Sequence, residues 1–338
     1  MADPEKKVAK EMTTCDMHTG GEPLRIVTSG YPRPQGKTIL EKRRFAERHL
    51  DRYRKFLMGE PRGHRDMYGA VLVEPEDPEA ADFGVLFLHN RGYSTMCGHA
   101  VLALGRYAVD RKLVAPVSPE TPLKIHCPCG VVRVFVRYEN EKSGSVRFYG
   151  VPSFVYQSDV EISVNEELVK VDVVYGGAFY VVVPARAVKC NVEKSRYQDL
   201  VNAASSVTEA VKNRVTLQHP EDPDLSYLYG TILTGGTKDE KNFCVFADRQ
   251  VDRSPTGSGV MARMALLHHR GSVSVDQTKV FSSFAGSVMT GRIVETVKYG
   301  PYPAAVVVEV SGNAYYTGSH RFFYEDDDPL KDGFFLDN

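Results

Sequence analysis

Short runs of alternating or continuous β-branched and apolar residues recur along most of the chain. They fall at residues 67–73, 83–88, 130–138, 145–149, 171–174, 179–183, 228–233, 243–246, 287–297 and 304–310. A two-residue period over such short stretches predicts strands. Helical spacing is rarer. It predicts one charge-rich helix over 37–57, one over 100–109 directly after Cys97, one over 196–217, and one over 260–269 that ends before Gly271 as a helix C-terminus should. Strands outnumber helices and do not alternate with them regularly. The pattern therefore predicts an α+β protein in which sheet surrounds a small number of central helices.

The pattern also repeats. Asp16, Gly20-Gly21 and a strand-like 23–27 are echoed by Asp172, Gly176-Gly177 and 179–183. Tyr68-Gly69-Ala70-Val71-Leu72-Val73 is echoed by Tyr229-Gly230-Thr231-Ile232-Leu233-Thr234. Phe87 lies ten residues before Cys97, as Phe246 lies ten before Thr256, and Cys97-Gly98-His99 then aligns with Thr256-Gly257-Ser258. The order is shared and the separation stays near about 160 residues, which points to a duplicated α/β unit. The expected lobes are 1–155, carrying Cys97, and 156–338, carrying Asp252 and Thr256, with the C-terminal tail free to return to the first. Equivalent segments of such a pair face each other across a cleft, a favoured place for a ligand.

Composition narrows the function. The 338 residues are 42% hydrophobic, with 42 basic and 43 acidic side chains and a net charge of −1. This describes a packed globular protein with no basic surplus for nucleic acid. No apolar stretch approaches the length of a membrane span; the longest, over 178–183, stops at Pro184. The opening MADPEKKVAKEM is polar without an apolar signal core, and residues 336–338 form no known address. A cytosolic location is expected, with all six cysteines reduced.

Two turns carry candidate chemistry. In Asn90-Arg91-Gly92-Tyr93-Ser94-Thr95-Met96-Cys97-Gly98-His99-Ala100, a strand leads through a turn to a helix, so Cys97 sits at a helix N-terminus. Free N–H groups and the helix dipole make an anion site there, and the same field is expected to lower the thiol pKa. The second turn, Asp252-Arg253-Ser254-Pro255-Thr256-Gly257-Ser258-Gly259, repeats the arrangement. Asp252 suits an amine, or else orients the turn through backbone N–H groups. A carboxylate between two helix N-termini, an amine on Asp252 and a thiolate near the α-carbon together describe α-proton chemistry on an amino acid, with charge stabilised without an external electron sink.

These residues resemble the signature motifs of the proline racemase family: Met96-Cys97-Gly98-His99 and the Asp252–Gly259 turn, along with His18-Thr19-Gly20-Gly21-Glu22-Pro23 and Glu60-Pro61-Arg62-Gly63-His64-Arg65-Asp66-Met67-Tyr68-Gly69. The resemblance covers most of the chain. It implies a diaminopimelate-epimerase-like fold of two pseudo-symmetric lobes, each with a central helix wrapped by sheet, usually as a homodimer, acting without cofactor or metal on a small amino acid. Racemases of the family carry cysteine at both turns, whereas here Thr256 stands at the second. An alcohol exchanges protons far less readily than a thiol. The Cys/Thr pair resembles the branch that dehydrates trans-3-hydroxy-L-proline to Δ1-pyrroline-2-carboxylate and water. Carried over by motif, Cys97 is the base and Thr256 its counterpart. Gly98 and His99 bind substrate, Asp252 the ring nitrogen, Gly257 and Ser258 the carboxylate, while Tyr68 and Phe246 pack on the ring. Epimerisation of hydroxyproline or proline, and amino-acid binding without catalysis, are the alternatives.

Other motifs read as structure. His126-Cys127-Pro128-Cys129-Gly130 lacks a second pair at zinc spacing and fits a strand-to-strand turn. The acidic run 325–328 reads as a solvated segment. His268-His269 suits a helix C-terminus. Nucleotide-loop and zinc-protease patterns are missing from the sequence.

Overall fold

A computed structural model describes residues 11–237 and 240–336. The first ten residues and the last two, which carry most of the expectations about targeting segments, lie outside the described residues. The chain opens with β1 (Glu11–Thr19) and β2 (Glu22–Ser29), joined at Gly20-Gly21, where φ values of 62° and 89° suit glycine. After α1 (Ile39–His49) and α2 (Asp51–Met58), β3 (Tyr68–Val73) pairs parallel with β2. β4 (Phe83–His89) returns antiparallel to β3, and β5 (Gly92–Ser94) folds back on β4. Then come α3 (Gly98–Asp110), β6 (Glu120–Cys127) parallel to β4, and the meander β7 (Gly130–Glu139) and β8 (Lys142–Tyr149).

The second half repeats this scheme after β9 (Phe154–Val164). β10 (Glu167–Tyr175) and β11 (Phe179–Pro184) form a hairpin, α4 (Tyr197–Lys212) follows, and β12 (Leu228–Gly235) pairs parallel with β11. β13 (Lys241–Phe246) and β14 (Gln250–Asp252) double back, α5 (Gly257–His269) follows, and β15 (Thr278–Ser283) pairs parallel with β13. β16 (Val288–Tyr299) and β17 (Tyr302–Gly312) complete the meander. β17 pairs with β8, and β18 (Ala314–Phe323) pairs with β1, so late strands extend the early sheet.

Helices α3 and α5 lie at the centre because their sequences are apolar almost all round. Through Val109, α3 buries every residue but Arg106, and α5 is buried from Gly257 to Leu266. Gly105 lets α3 lie close on the sheet: a Cβ there would stand 2.7 Å from Val134 Cγ1. Arg263 is the charged exception within α5, and its guanidinium reaches Asn242 Oδ1 at 2.9 Å.

Two expectations need correction. The single helix over 37–57 is two helices, broken at Leu50. Thr38 and Glu41 form a capping box on the first. Asp51 starts the second, in a position suited to a carboxylate, and Arg54 Nε meets it at 2.6 Å. Leu50 turns instead into a separate apolar cluster with Tyr53 and Leu57. The acidic run is not wholly solvated either, since Asp328 meets Arg62 at 3.4 Å. The Cys127–Gly130 segment is a hairpin turn between β6 and β7, as its sequence predicts.

Candidate active site

The N-termini of α3 and α5 meet head to head. Cys97 caps α3 and Thr256 caps α5, neither through its side chain. Both side chains line one small buried cavity, together with Gly98, His99, Gly257, Ser258, Asp252, Tyr68 and Phe246. All nine residues singled out from the sequence are thus brought to one place. The free volume is about 10 Å³, room for about a single water. A larger cavity of about 540 Å³ lies elsewhere, between Glu60, Arg65, Asn90, Asp248 and Leu336. Among its described lining residues none is a cysteine, serine or threonine, so the thiol chemistry belongs to the small cleft.

Each turn is built by local bonds. The first helical bonds run from Val101 N to Cys97 O at 3.0 Å and from Val260 N to Thr256 O at 2.7 Å. The earlier N–H groups of both helices therefore have no carbonyl within their own helix. Asp252 Oδ1 accepts from Ser254 N at 2.7 Å, Ser254 Oγ accepts from Thr256 N at 3.1 Å, and Asn242 Nδ2 donates to Pro255 O at 2.9 Å. Asp252 therefore orients its own turn while also facing the cavity. Thr256 is held at φ 65°, a conformation that a β-branched residue rarely adopts. Its hydroxyl is buried without a hydrogen-bond partner of ordinary geometry among the described residues, and it acts on the nearby Cys244 thiol.

The Cys97 thiol contradicts one expectation. Burial pushes its pKa well above the ordinary 9.0, and the Asp252 and Glu22 carboxyls add to the rise. Donors at the Ala100 N–H and the Tyr68 hydroxyl oppose it but do not prevail. In this buried cleft, loss of water outweighs the helix field. His99 Nδ1 lies 3.1 Å from Cys97 Sγ. Burial lowers the His99 pKa, and its ring hydrogen-bonds the Pro23 backbone carbonyl.

Sequence reasoning missed several residues here. Tyr180 and Tyr229 line the cavity, and Tyr180 OH bonds Ser258 Oγ at 2.7 Å. Tyr229 was findable, since the internal repeat pairs it with Tyr68. Glu22 is completely buried behind the second turn, and its Oε2 accepts from Arg253 N at 2.7 Å. Burial, then the nearby Asp252, raise the Glu22 pKa well above 4.5. Glu22 stands in the His18–Pro23 motif, but nothing in the sequence placed it beside Asp252.

A sequence model described as proline racemase matches residues 14–335. The chain is 56% identical over 328 residues to a protein of Saccoglossus kowalevskii named trans-L-3-hydroxyproline dehydratase, covering 95% of this chain and 100% of that one. It is 55% identical over 337 residues to the Homo sapiens protein named trans-3-hydroxy-L-proline dehydratase, covering 96% and 94%. Among solved structures, a hydroxyproline epimerase from Agrobacterium vitis with bound trans-4-hydroxy-L-proline superposes with a TM-score of 0.90 at 25% identity, over 97% of this chain and 96% of that one. Two repeated halves that bring both signature turns to one cleft agree with these matches: this chain belongs to the proline racemase family.

Proposed function

We propose that this chain is a hydro-lyase that dehydrates trans-3-hydroxy-L-proline to Δ1-pyrroline-2-carboxylate and water. The observation that carries the reading is the unequal pair at the helix ends, a thiol at Cys97 and an alcohol at Thr256 in one cavity. Relatives of about 55% identity named for this dehydration support it.

In this reading the substrate carboxylate lies between the two helix N-termini, against the N–H groups that begin at Gly98 and Gly257. Those groups stabilise the charge that develops as the α-proton leaves. Asp252 holds the ring ammonium. In the trans isomer the α-hydrogen and the 3-hydroxyl share one ring face, so a single base begins the elimination. Cys97 thiolate removes the α-proton and becomes a thiol. The C–H electron pair becomes the C2–C3 double bond as the C3–O bond breaks, and the enamine tautomerises to the imine. Thr256 on the opposite face does not return a proton, so inversion does not compete. His99 positions the sulfur, and Tyr68 and Phe246 flank the ring. The lobes 1–155 and 156–338 belong to the proposal on the internal repeat and a homodimer on the family resemblance, and a cytosolic location is proposed with them. Among the described residues, no helix is long and apolar enough to cross a membrane.

Incubation with trans-3-hydroxy-L-proline, trans-4-hydroxy-L-proline and L-proline, with imine and optical rotation measured separately, tests the reading. Imine from the first alone, abolished in Cys97→Ser, is expected. Inversion without water loss would replace dehydration by epimerisation.

A further inference from the structure

Dehydration needs a second proton. The 3-hydroxyl departs as water only if a donor stands on its own ring face, the face that Cys97 occupies. Among the described residues, two side chains with exchangeable protons stand against this sulfur. One is His99, whose Nδ1 faces Sγ at 3.1 Å. Neutral imidazole has one N–H, and here it is assigned to the Pro23 carbonyl. Nδ1 and Nε2 lie 3.1 and 3.7 Å from Sγ, and the one N–H of the ring is engaged by that carbonyl rather than free for the leaving oxygen.

The other is Tyr68. Its ring is buried edge-on against His99, with centroids 4.8 Å apart. It lines the cavity, and its hydroxyl acts on the Cys97 thiol as a donor. That hydroxyl is also hydrogen-bonded to Ser94 Oγ and lies 3.4 Å from Tyr229 OH. Ser94 is itself fully buried. The Tyr68 hydroxyl thus links the Ser94 and Tyr229 hydroxyls to the sulfur, a path along which a proton can move.

We propose that Tyr68 is the acid that protonates the departing 3-hydroxyl, and that Ser94 and Tyr229 fix its hydroxyl for this step. The inference rests on the dehydratase reading. The steps balance. Cys97 thiolate takes the α-proton and becomes a thiol, the C2–C3 double bond forms, and the C3–O bond breaks. The oxygen leaves with the Tyr68 proton as water, and the tyrosinate recovers a proton from the Cys97 thiol, which restores the thiolate. No oxidant or reductant is needed.

The experiment follows Tyr68→Phe in D2O, reading dehydration by imine and α-proton exchange by deuterium in recovered trans-3-hydroxy-L-proline. Phenylalanine keeps the packing and removes the donor. The ratio of dehydration to exchange should fall by about 10²–10⁴-fold, the size of a general-acid contribution. Ser94→Ala, which frees the hydroxyl to rotate, should move the ratio the same way by a smaller factor. An unchanged ratio in folded Tyr68→Phe, whether both rates fall together or neither does, overturns the proposal. Native protein that neither dehydrates nor exchanges would instead sink the dehydratase reading, so the two failures are distinct.

Discussion

The Asp66 carboxylate, only 1% exposed, meets the Arg253 guanidinium at 2.7 Å, joining the segment before β3 to the turn that carries Asp252 and Thr256. Asp66 is held at φ 63°, an uncommon conformation for a residue with a side chain. Neutralising it in Asp66→Asn should cost about 1–3 kcal/mol, less than a fully buried pair because the Arg253 side chain stays 36% exposed. Urea unfolding reads that cost. The accompanying fold-rise in KM should exceed any fold-fall in kcat, because the pair fixes the amine-binding turn rather than the reacting atoms. A kcat loss at constant KM would reject this role.

Arg253 is held a second time, through its backbone N–H, by Glu22. The folded Glu22 pKa lies well above its unfolded 4.5, with burial, Asp252 and Asp66 raising it and Arg253 opposing. A raised carboxyl works against folding as pH climbs: the unfolded chain sheds its proton above 4.5 while the folded chain still keeps it. Glu22→Gln, neutral at every pH, lacks this loss. Its stability relative to native protein should therefore grow as pH rises above 4.5, until the folded carboxyl ionises. Activity should survive in Glu22→Gln and fall in Glu22→Ala, which loses the acceptor for Arg253 N–H. A stability difference independent of pH would show Glu22 to be ionised in the fold.

Much of this was legible in the chain. The weak repeat at about 160 residues has a counterpart in the strand pairing: β2 lies parallel to β3 as β11 does to β12. The two turns were readable because Cys97-Gly98 and Thr256-Gly257 stand between a strand and an apolar helix. Polar strands were not. β18 is exposed along nearly its whole length, and beside the backbone ladder its contacts with β1 are surface ones such as Arg321 with Glu11 and Tyr315 stacked on His18, which leaves no apolar period to read. The Cys97 pKa escaped for a different reason. The helix field is local and visible in sequence, while burial is set by the other half of the molecule. Glu22 was hidden likewise, since its partner Arg253 is distant in sequence.

Gly98 and Gly257 are required by contact. A Cβ on Gly98 would stand 2.5 Å from Gly257 Cα, and one on Gly257 would stand 2.7 Å from Gly98 Cα. The obstacle is backbone, which cannot swing aside as a side chain can. Gly98→Ala and Gly257→Ala should each force the helix ends apart and misplace the N–H groups around the carboxylate. A displacement of about 1 Å can cost about 10²-fold in rate, and overpacking should cost about 1–3 kcal/mol. Steady-state kinetics and urea midpoints check both. Near-native activity in either variant would mean the two helix ends do not jointly hold substrate.

Acid should unfold this protein by way of its buried histidines. Burial, then the charges of Arg54 and Arg43, pull His89 down to about 3, and burial pulls His219 down to about 4. Both are neutral in the fold, while the unfolded chain takes up protons near 6.5. Their stabilisation is intact above 6.5 and is lost as pH falls through the window toward about 3 to 4. Inside it, a fully buried histidine such as His89 costs about 1.4 kcal/mol per pH unit. His89→Gln should flatten the decline of urea midpoint between pH 6.5 and 4.5. An unchanged slope would place the acid sensitivity elsewhere.

The raised Cys97 thiol sets the pH dependence of catalysis. Its proton is shed only above the ordinary 9.0 in the free protein, so log kcat/KM should climb with pH through neutrality without levelling off below 9. Two of the groups that raise it, Asp252 and Glu22, are carboxyls of the second turn and its support. A bound ammonium on Asp252 offsets that negative charge, which makes thiolate easier to form in the complex. The midpoint of kcat against pH should therefore lie below that of kcat/KM. Asp252→Asn should lower the thiol pKa in the free protein while weakening substrate binding, so the two midpoints draw together. A kcat/KM plateau already reached at pH 7 would mean that the helix N-termini overcome burial and that Cys97 rests as thiolate.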